Sequence, residues 1–161
     1  MFLGSECIAL VTGASRGAGK GIALALGDAG ATVYVTGRTQ AEGDAALPGT
    51  VFATAEEINQ RGGRGVAVIC DHGNDDEVAA LFAQIEGDHG RLDILVNNAL
   101  CVPDALTMAG PFWEKPLNLQ DILNVGLRSS YVAAYYAAPL LIKRGGLLVN
   151  TSYTGGRSYM N

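Results

Sequence analysis

Cysteine and histidine are scarce: three Cys (Cys7, Cys70 and Cys101) and two His in 161 residues. Three widely spaced thiols do not make a disulfide framework. With no CxxC or HExxH spacing, neither a structural zinc site nor any other metal site is expected. Basic residues are also few, eleven Lys and Arg against sixteen Asp and Glu, for a net charge of −5. They form no stripe, which speaks against a nucleic-acid partner. No apolar run is long enough to span a bilayer, and the longest, residues 131–142, contains Pro139. The first residues show neither a basic start nor a cleavage-like site, so no signal peptide is read and the expected location is cytoplasmic. What is abundant is apolar surface, 48% of residues, which excludes intrinsic disorder. Glycine is abundant too, with 22 residues, but without a fixed period it is not collagen-like. The length fits one domain that buries roughly two-thirds of its unfolded surface.

The apolar runs are short and regularly spaced. Cys7-Ile-Ala-Leu-Val11 is continuously apolar, as suits a parallel strand buried on both faces. Residues 21–30 read as a helix ended by Gly30, and Ala31–Thr36 as a second, β-branched strand. Residues 39–50 carry Gly43, Pro48 and Gly49 and read as a loop, with Thr50 or Thr54 capping a helix that runs to about Arg61. Gly65–Cys70 is a third strand. A helix from Asp75 carries a core stripe of Val78, Leu81, Phe82 and Ile85, closed by Gly87 and Gly90. Leu92–Val96 is a fourth strand. Residues 99–117 form a long loop, a helix spans about Leu119–Lys143, and Leu147–Thr151 is a fifth strand. This alternation predicts right-handed crossovers and a doubly wound parallel α/β sheet of the Rossmann type. No internal repeat or domain boundary is read, so residues 1–161 are expected to form a single domain.

The first strand runs into Thr12-Gly-Ala-Ser-Arg-Gly-Ala-Gly19-Lys20. Glycines between a strand and a helix let backbone amides approach a pyrophosphate at the positive helix end. A P-loop requires four residues between its glycines and a Ser or Thr after the lysine, and both conditions fail here. The remaining alternative is a merely tight βα turn. Gly13, Ser15, Arg16, Gly17, Ala18 and Gly19 are the candidate cofactor-binding residues of this loop. After the second strand, Gly37 stands where dinucleotide folds that prefer NAD place a carboxylate, and Arg38 follows. A guanidinium there suits a 2′-phosphate. The alternative is a solvated arginine at a strand end.

Four motifs now stand in order: Thr12-Gly-x-x-x-Gly-x-Gly19, Asn97-Asn-Ala99, Asn124 within Asn-Val-Gly-Leu, and Ser152 after the fifth strand. Together they resemble the short-chain dehydrogenase/reductase family, and the resemblance covers essentially the whole chain. Gly30-Ala-Thr-Val-Tyr, Arg91-Leu-Asp and Phe112-Trp-Glu are similar to the subgroup of dehydrogenase/reductase family member one. The resemblance implies NADP(H) rather than NAD(H), read by Arg16 and Arg38. It further implies that Asp71 lies against the adenine ring with the His72 backbone beside it. Asn98 and Ala99 then lie near the cofactor, and Asn97 is more structural. Ser152 and Asn124 are the implied catalytic residues, the serine holding the substrate oxygen and the asparagine a water. The implied substrate is a small carbonyl compound or secondary alcohol, and a homodimer or homotetramer is expected. Phe112 and Trp113 supply either an apolar substrate wall or packing against the body of the fold. Cys7 and Cys70 read as buried small hydrophobes. The family's proton donor, a tyrosine in Tyr-x-x-x-Lys about a dozen residues past the serine, is not found in this sequence. The chain therefore reads as an amino-terminal portion of such an enzyme, truncated after the fifth strand and inactive alone. The alternative is a non-catalytic dinucleotide-binding module.

Overall fold

Short apolar runs become strands, fully buried in the centre of the sheet and exposed at the β5 edge. Five of them form one parallel sheet: β1 (Ile8–Val11), β2 (Thr32–Gly37), β3 (Arg64–Ile69), β4 (Ile94–Asn97) and β5 (Leu147–Asn150). Their order is β3-β2-β1-β4-β5. This is the doubly wound arrangement the alternating pattern predicts. The computed structural model describes residues 4, 6–41, 43, 44 and 47–152. The residues after Ser152, Tyr153 and Tyr159 among them, lie outside the described residues.

Four helices cover the sheet: α1 (Gly17–Asp28), α2 (Val51–Gln60), α3 (Asp75–His89) and α4 (Ser129–Leu141). Side chains alternate across the strands, so β1 to β4 feed two cores. Ala9, Val11, Val33 and Val35 pack with Ala23, Val51 and Ile58 on the α1/α2 side. Ile8, Leu10, Tyr34 and Leu95 pack with Phe82, Ile85, Ala133 and Leu140 on the α3/α4 side. The buried Tyr34 hydroxyl donates to Asp88 Oδ2 at 2.7 Å, tying β2 to α3. Burial and that carboxylate hold its pKa far above the usual phenol range. Thr50 caps α2 by accepting from the Ala53 N–H at 2.9 Å, which decides between the two expected caps. Gly90 ends α3 with a left-handed φ of 66°, and Gly87 lies inside the helix. No described helix is long and apolar enough to cross a membrane.

The structure corrects three expectations. α1 starts at Gly17 rather than at residue 21, so Gly17 and Gly19 form its first turn instead of preceding it. Cys70 is fully buried, but Cys7 is only half-buried. The long helix expected over Leu119–Lys143 is broken. Leu117–Gln120 is a short 3-10 turn, α4 itself begins at Ser129, and Val125 (φ −108°, ψ 91°) and Gly126 (φ 156°, ψ −64°) between them are non-helical. Asn124 therefore sits in a distorted turn rather than in a regular helix. Gly126 takes a positive φ open mainly to glycine. Side chains hold the break: the Gly126 N–H donates to Ser129 Oγ at 3.0 Å, and Ser130 Oγ donates to the Gly126 carbonyl at 2.5 Å. The Cys101 N–H donates to the Val125 carbonyl at 2.8 Å from the facing loop.

Candidate functional site

β1 and β4 are neighbours, but the chain leaves β1 toward the α1/α2 face and β4 toward the α3/α4 face. Such a switch point opens a crevice at the carboxyl ends of the strands. Here it is a cleft of about 770 Å³, and every candidate cofactor residue except Gly19 lines it.

Its floor is the glycine loop. Gly13 has a φ of 65°, and a Cβ there would stand 2.7 Å from Ala99 Cα. Gly19 lies just beneath the lining, where a Cβ would meet Asn98 Nδ2 and the Gly13 carbonyl, each at 2.4 Å. The glycines thus bring loop, helix and the Asn98-Ala99 segment closer than any side chain allows. Thr12 knits the same junction. Its Oγ1 accepts from the N–H groups of Asn98 (2.8 Å) and Ala99 (2.9 Å). In return, Asn98 Nδ2 donates to the carbonyls of Thr12 (2.9 Å) and Gly13 (3.0 Å). Both Asn98 amide protons are engaged in holding the loop. No side chain caps α1, so the amides of its first turn, in exposed Gly17 and Ala18, stay free at the positive end of the helix.

Charges gather at one end. Arg38 is largely exposed, with Nη1 3.9 Å from Asp71 Oδ2. Arg16 is folded against the loop after β2. Its Nη2 donates to Thr39 Oγ1 at 2.7 Å and to the Gly49 carbonyl at 2.9 Å, and its buried Nε has no partner. Ser15 is buried beside them, and its carbonyl accepts from Thr54 Oγ1 at 3.4 Å. The His72 side chain is buried, with Nε2 2.8 Å from Thr36 Oγ1. Burial lowers its pKa to about 4, against opposing pulls from Asp71 and Glu77, so the ring is neutral near pH 7. Burial likewise pushes the neighbouring Cys70 thiol up to about 12.

The other end of the cleft is made by β4, β5 and the broken turn. Asn97, Thr151, Gly126 and Ser130 line it. Asn124 and Ser152 are exposed and outside the lining itself, each next to a lining residue, Val125 and Thr151. Phe112 and Trp113 stack edge-on at 5.5 Å, are 78% and 74% exposed, and lie outside the cleft. Sequence reasoning missed Thr12, Thr39 and Ser130 as cleft-forming residues. Thr12 carried a signal, standing immediately before the first glycine. Thr39 and Ser130 carried none, because the contacts that bring them to the cleft, Arg16 for Thr39 and Asn97 for Ser130, are remote in sequence.

Residues 13–161 match the family model for Enoyl-(Acyl carrier protein) reductase. Dehydrogenase/reductase SDR family member 1 of Mus musculus is 46% identical over 98% of this chain and 49% of its own length. The chain belongs to the short-chain dehydrogenase/reductase family. It spans about half the length of the SDR family member 1 proteins it matches, 49% in both mouse and human. Hydroxysteroid dehydrogenase-like protein 2 of Bos taurus is a further family relative, 34% identical over 85% of the chain and 32% of its own length. Among solved structures, a metagenomic short-chain oxidoreductase in complex with NADP superposes with a TM-score of 0.80 at 33% identity, over 97% of this chain and 66% of that one. A short-chain type dehydrogenase/reductase from Mycobacterium marinum gives 0.78 at 32% identity, over 96% and 58%. The family is one of oxidoreductases that use nicotinamide dinucleotides.

Proposed function

We propose that the cleft binds NADP(H), and that the complete enzyme interconverts a carbonyl compound and a secondary alcohol. The observation that carries this reading is the combination of an uncapped α1 N-terminus with a β2 end bearing Arg38 and no carboxylate. Free amides at a helix start suit a pyrophosphate, and the guanidinium suits a 2′-phosphate. The cradle that Gly13 and Gly19 keep open fits a group pressed against backbone. The NADP complex of the metagenomic relative supports the same choice of cofactor.

In this reading Gly17 and Ala18 donate backbone N–H groups, with Gly13 and Gly19 keeping the loop low enough for them to reach. Arg38 reads the 2′-phosphate, and Arg16 joins it by releasing Thr39. Asp71 and the His72 backbone flank the adenine, and Asn98, which also holds the loop, lies near the adenosine ribose with Ala99 beside it. Bound nicotinamide supplies or accepts the hydride. Ser152 orients the substrate oxygen, and Asn124 holds a water for proton transfer. Neither is a competent acid at neutral pH. The sequence contains no Tyr-x-x-x-Lys, and that observation favours a second reading, in which these residues alone bind the dinucleotide without turning it over. One comparison separates the two. Loss of NADPH absorbance is followed over ketones, quinones and aldehydes, with this chain and with a version continued through a Tyr-x-x-x-Lys. We expect negligible turnover from the former and turnover from the latter. Robust turnover by the short chain overturns the missing-acid argument, and silence from both favours the binding module.

A further inference from the structure

Asp71, His72 and Gly73 follow β3 as a loop whose own ties are local. The Gly73 N–H donates to Asp71 Oδ1 at 2.9 Å, the Asn74 N–H to the Asp71 carbonyl at 2.9 Å, and the Asp71 N–H to Glu77 Oε2 at 2.7 Å. None of these bonds sets the loop against the glycine loop across the cleft. The Arg38–Asp71 pair is too long and too exposed to do so. The His72 N–H makes no hydrogen bond among the described residues, which leaves it for a ligand.

The tie lies on the other side of His72. Its side chain turns into the core, 4% exposed, and Nε2 meets Oγ1 of fully buried Thr36 at 2.8 Å. Thr36 Oγ1 also donates to the Val11 carbonyl at 3.4 Å. The hydroxyl has one proton, and that carbonyl can only accept. Directed at Val11, the proton leaves Oγ1 to accept from Nε2–H, and both bonds form. Directed at Nε2, it forfeits one of them. The neutral ring therefore carries its proton on Nε2. The Thr36 carbonyl, meanwhile, accepts from the Ala14 N–H of the glycine loop at 2.9 Å. One residue of β2 thus holds the glycine loop by its backbone and the segment after β3 by its side chain. Among the described residues, no other side-chain hydrogen bond joins that segment to β2.

We propose that His72 is a positioning residue for the adenine, its imidazole locking the Asp71–Gly73 segment to Thr36 and so to the glycine loop. The proposal rests on the cofactor reading given above. The lock keeps the His72 N–H and the Asp71 carboxylate at one spacing from the pyrophosphate cradle. Adenine has the matching edge, since its N1 accepts and its 6-amino group donates. Hypoxanthine reverses both, because its N1 carries a proton and its O6 only accepts.

The test is the preference for NADPH over its hypoxanthine analogue, measured by calorimetric titration into this chain. The unsubstituted chain is expected to prefer NADPH about tenfold, the scale of one or two hydrogen bonds. His72→Leu keeps the bulk and loses the donor. It is expected to weaken NADPH alone and to bring the ratio below about threefold. His72→Gln, whose amide can donate to Thr36, is expected to keep the preference. Thr36→Val removes the acceptor and is expected to repeat the leucine result. A merely structural loss lowers both affinities alike, so an unchanged ratio in His72→Leu overturns the proposal. Equal binding of the two dinucleotides by the unsubstituted chain overturns it as well. If His72→Leu unfolds, Thr36→Val carries the measurement. Unfolding of both makes the pair one of general stability and also overturns the proposal. If neither dinucleotide binds the unsubstituted chain, the cofactor reading fails, and amide exchange at Gly73 and Asn74 decides on the lock. A rise of about tenfold in His72→Leu but not in His72→Gln supports it, and equal exchange overturns it.

Discussion

Arg38 Nη1 stands 3.9 Å from Asp71 Oδ2, joining the carboxyl ends of β2 and β3 across the mouth of the cleft. Both side chains are substantially exposed, so the pair contributes little to stability. It does hold the guanidinium near the carboxylate expected beside an adenine ring. A 2′-phosphate would offer Arg38 a doubly charged partner in place of a single loose one. Arg38→Asp is expected to weaken NADPH by about 1–3 kcal/mol, the scale of a charge-assisted contact, with little loss for NADH. Fluorescence titration of both cofactors against both proteins checks this, and equal losses for the two cofactors would show that Arg38 does not read the phosphate.

Gly19→Ala should damage the cleft without touching its charges. The new methyl would lie 2.4 Å from both Asn98 Nδ2 and the Gly13 carbonyl, and the latter is backbone that cannot rotate away. Such overpacking typically costs about 1–3 kcal/mol. The expected result is a lower midpoint in urea, together with cofactor affinity reduced more than stability alone explains. Gly21→Ala is the control, since a Cβ there meets nothing within 4 Å.

The buried imidazole of His72 makes stability depend on pH. Its folded pKa, about 4, lies below the ordinary 6.5, so the unfolded chain takes up the proton first. Stability is therefore undiminished by His72 above about pH 6.5 and is lost as pH falls toward 4, by up to about 3 kcal/mol. His72→Gln, which cannot ionise, is expected to flatten that stretch of the curve. Denaturant unfolding followed across the range checks it, and an unaltered slope would show that His72 is not the responsible group.

α4 presents a second apolar face. Ala133, Ala137, Leu140 and Leu141 bury against the sheet. Tyr131, Tyr135 and Ile142, on the other side, are 73%, 67% and 78% exposed. A stripe of that size on the surface suits a second subunit. The expected outcome is a homodimer or homotetramer by light scattering at micromolar concentration, with Tyr135→Lys shifting it toward monomer. A monomeric unsubstituted chain would count against this.

The strands were legible because each is a short, mostly apolar run, buried in β1 and β2 and exposed along β5, and their boundaries moved by only a residue or two. The glycine loop was legible because its spacing is set by backbone contact. The start of α1 was not, because Gly17 and Gly19 are poor helix formers by propensity; Gly17 takes a φ of 58°, and Gly19 is kept there by close packing under Asn98. The break at Val125-Gly126 was hidden for a related reason. Apolar periodicity runs on through it, while the bonds that accompany it, local ones from Ser129 and Ser130 and one from Cys101 that only the fold assembles, leave no mark on that pattern. Asn97 read as structural, but nothing in a single sequence shows that its amide faces both Ser130 and Asn150.

The central claim is that the cleft at the β1/β4 switch point takes NADP(H) in preference to NAD(H). Calorimetric titration of NADPH and of NADH into the unsubstituted chain tests it most directly. The account predicts saturable one-site binding of NADPH, at least about tenfold tighter than NADH, the equivalent of about 1.4 kcal/mol. NADH binding equal to or tighter than NADPH, or no binding of either, would contradict it.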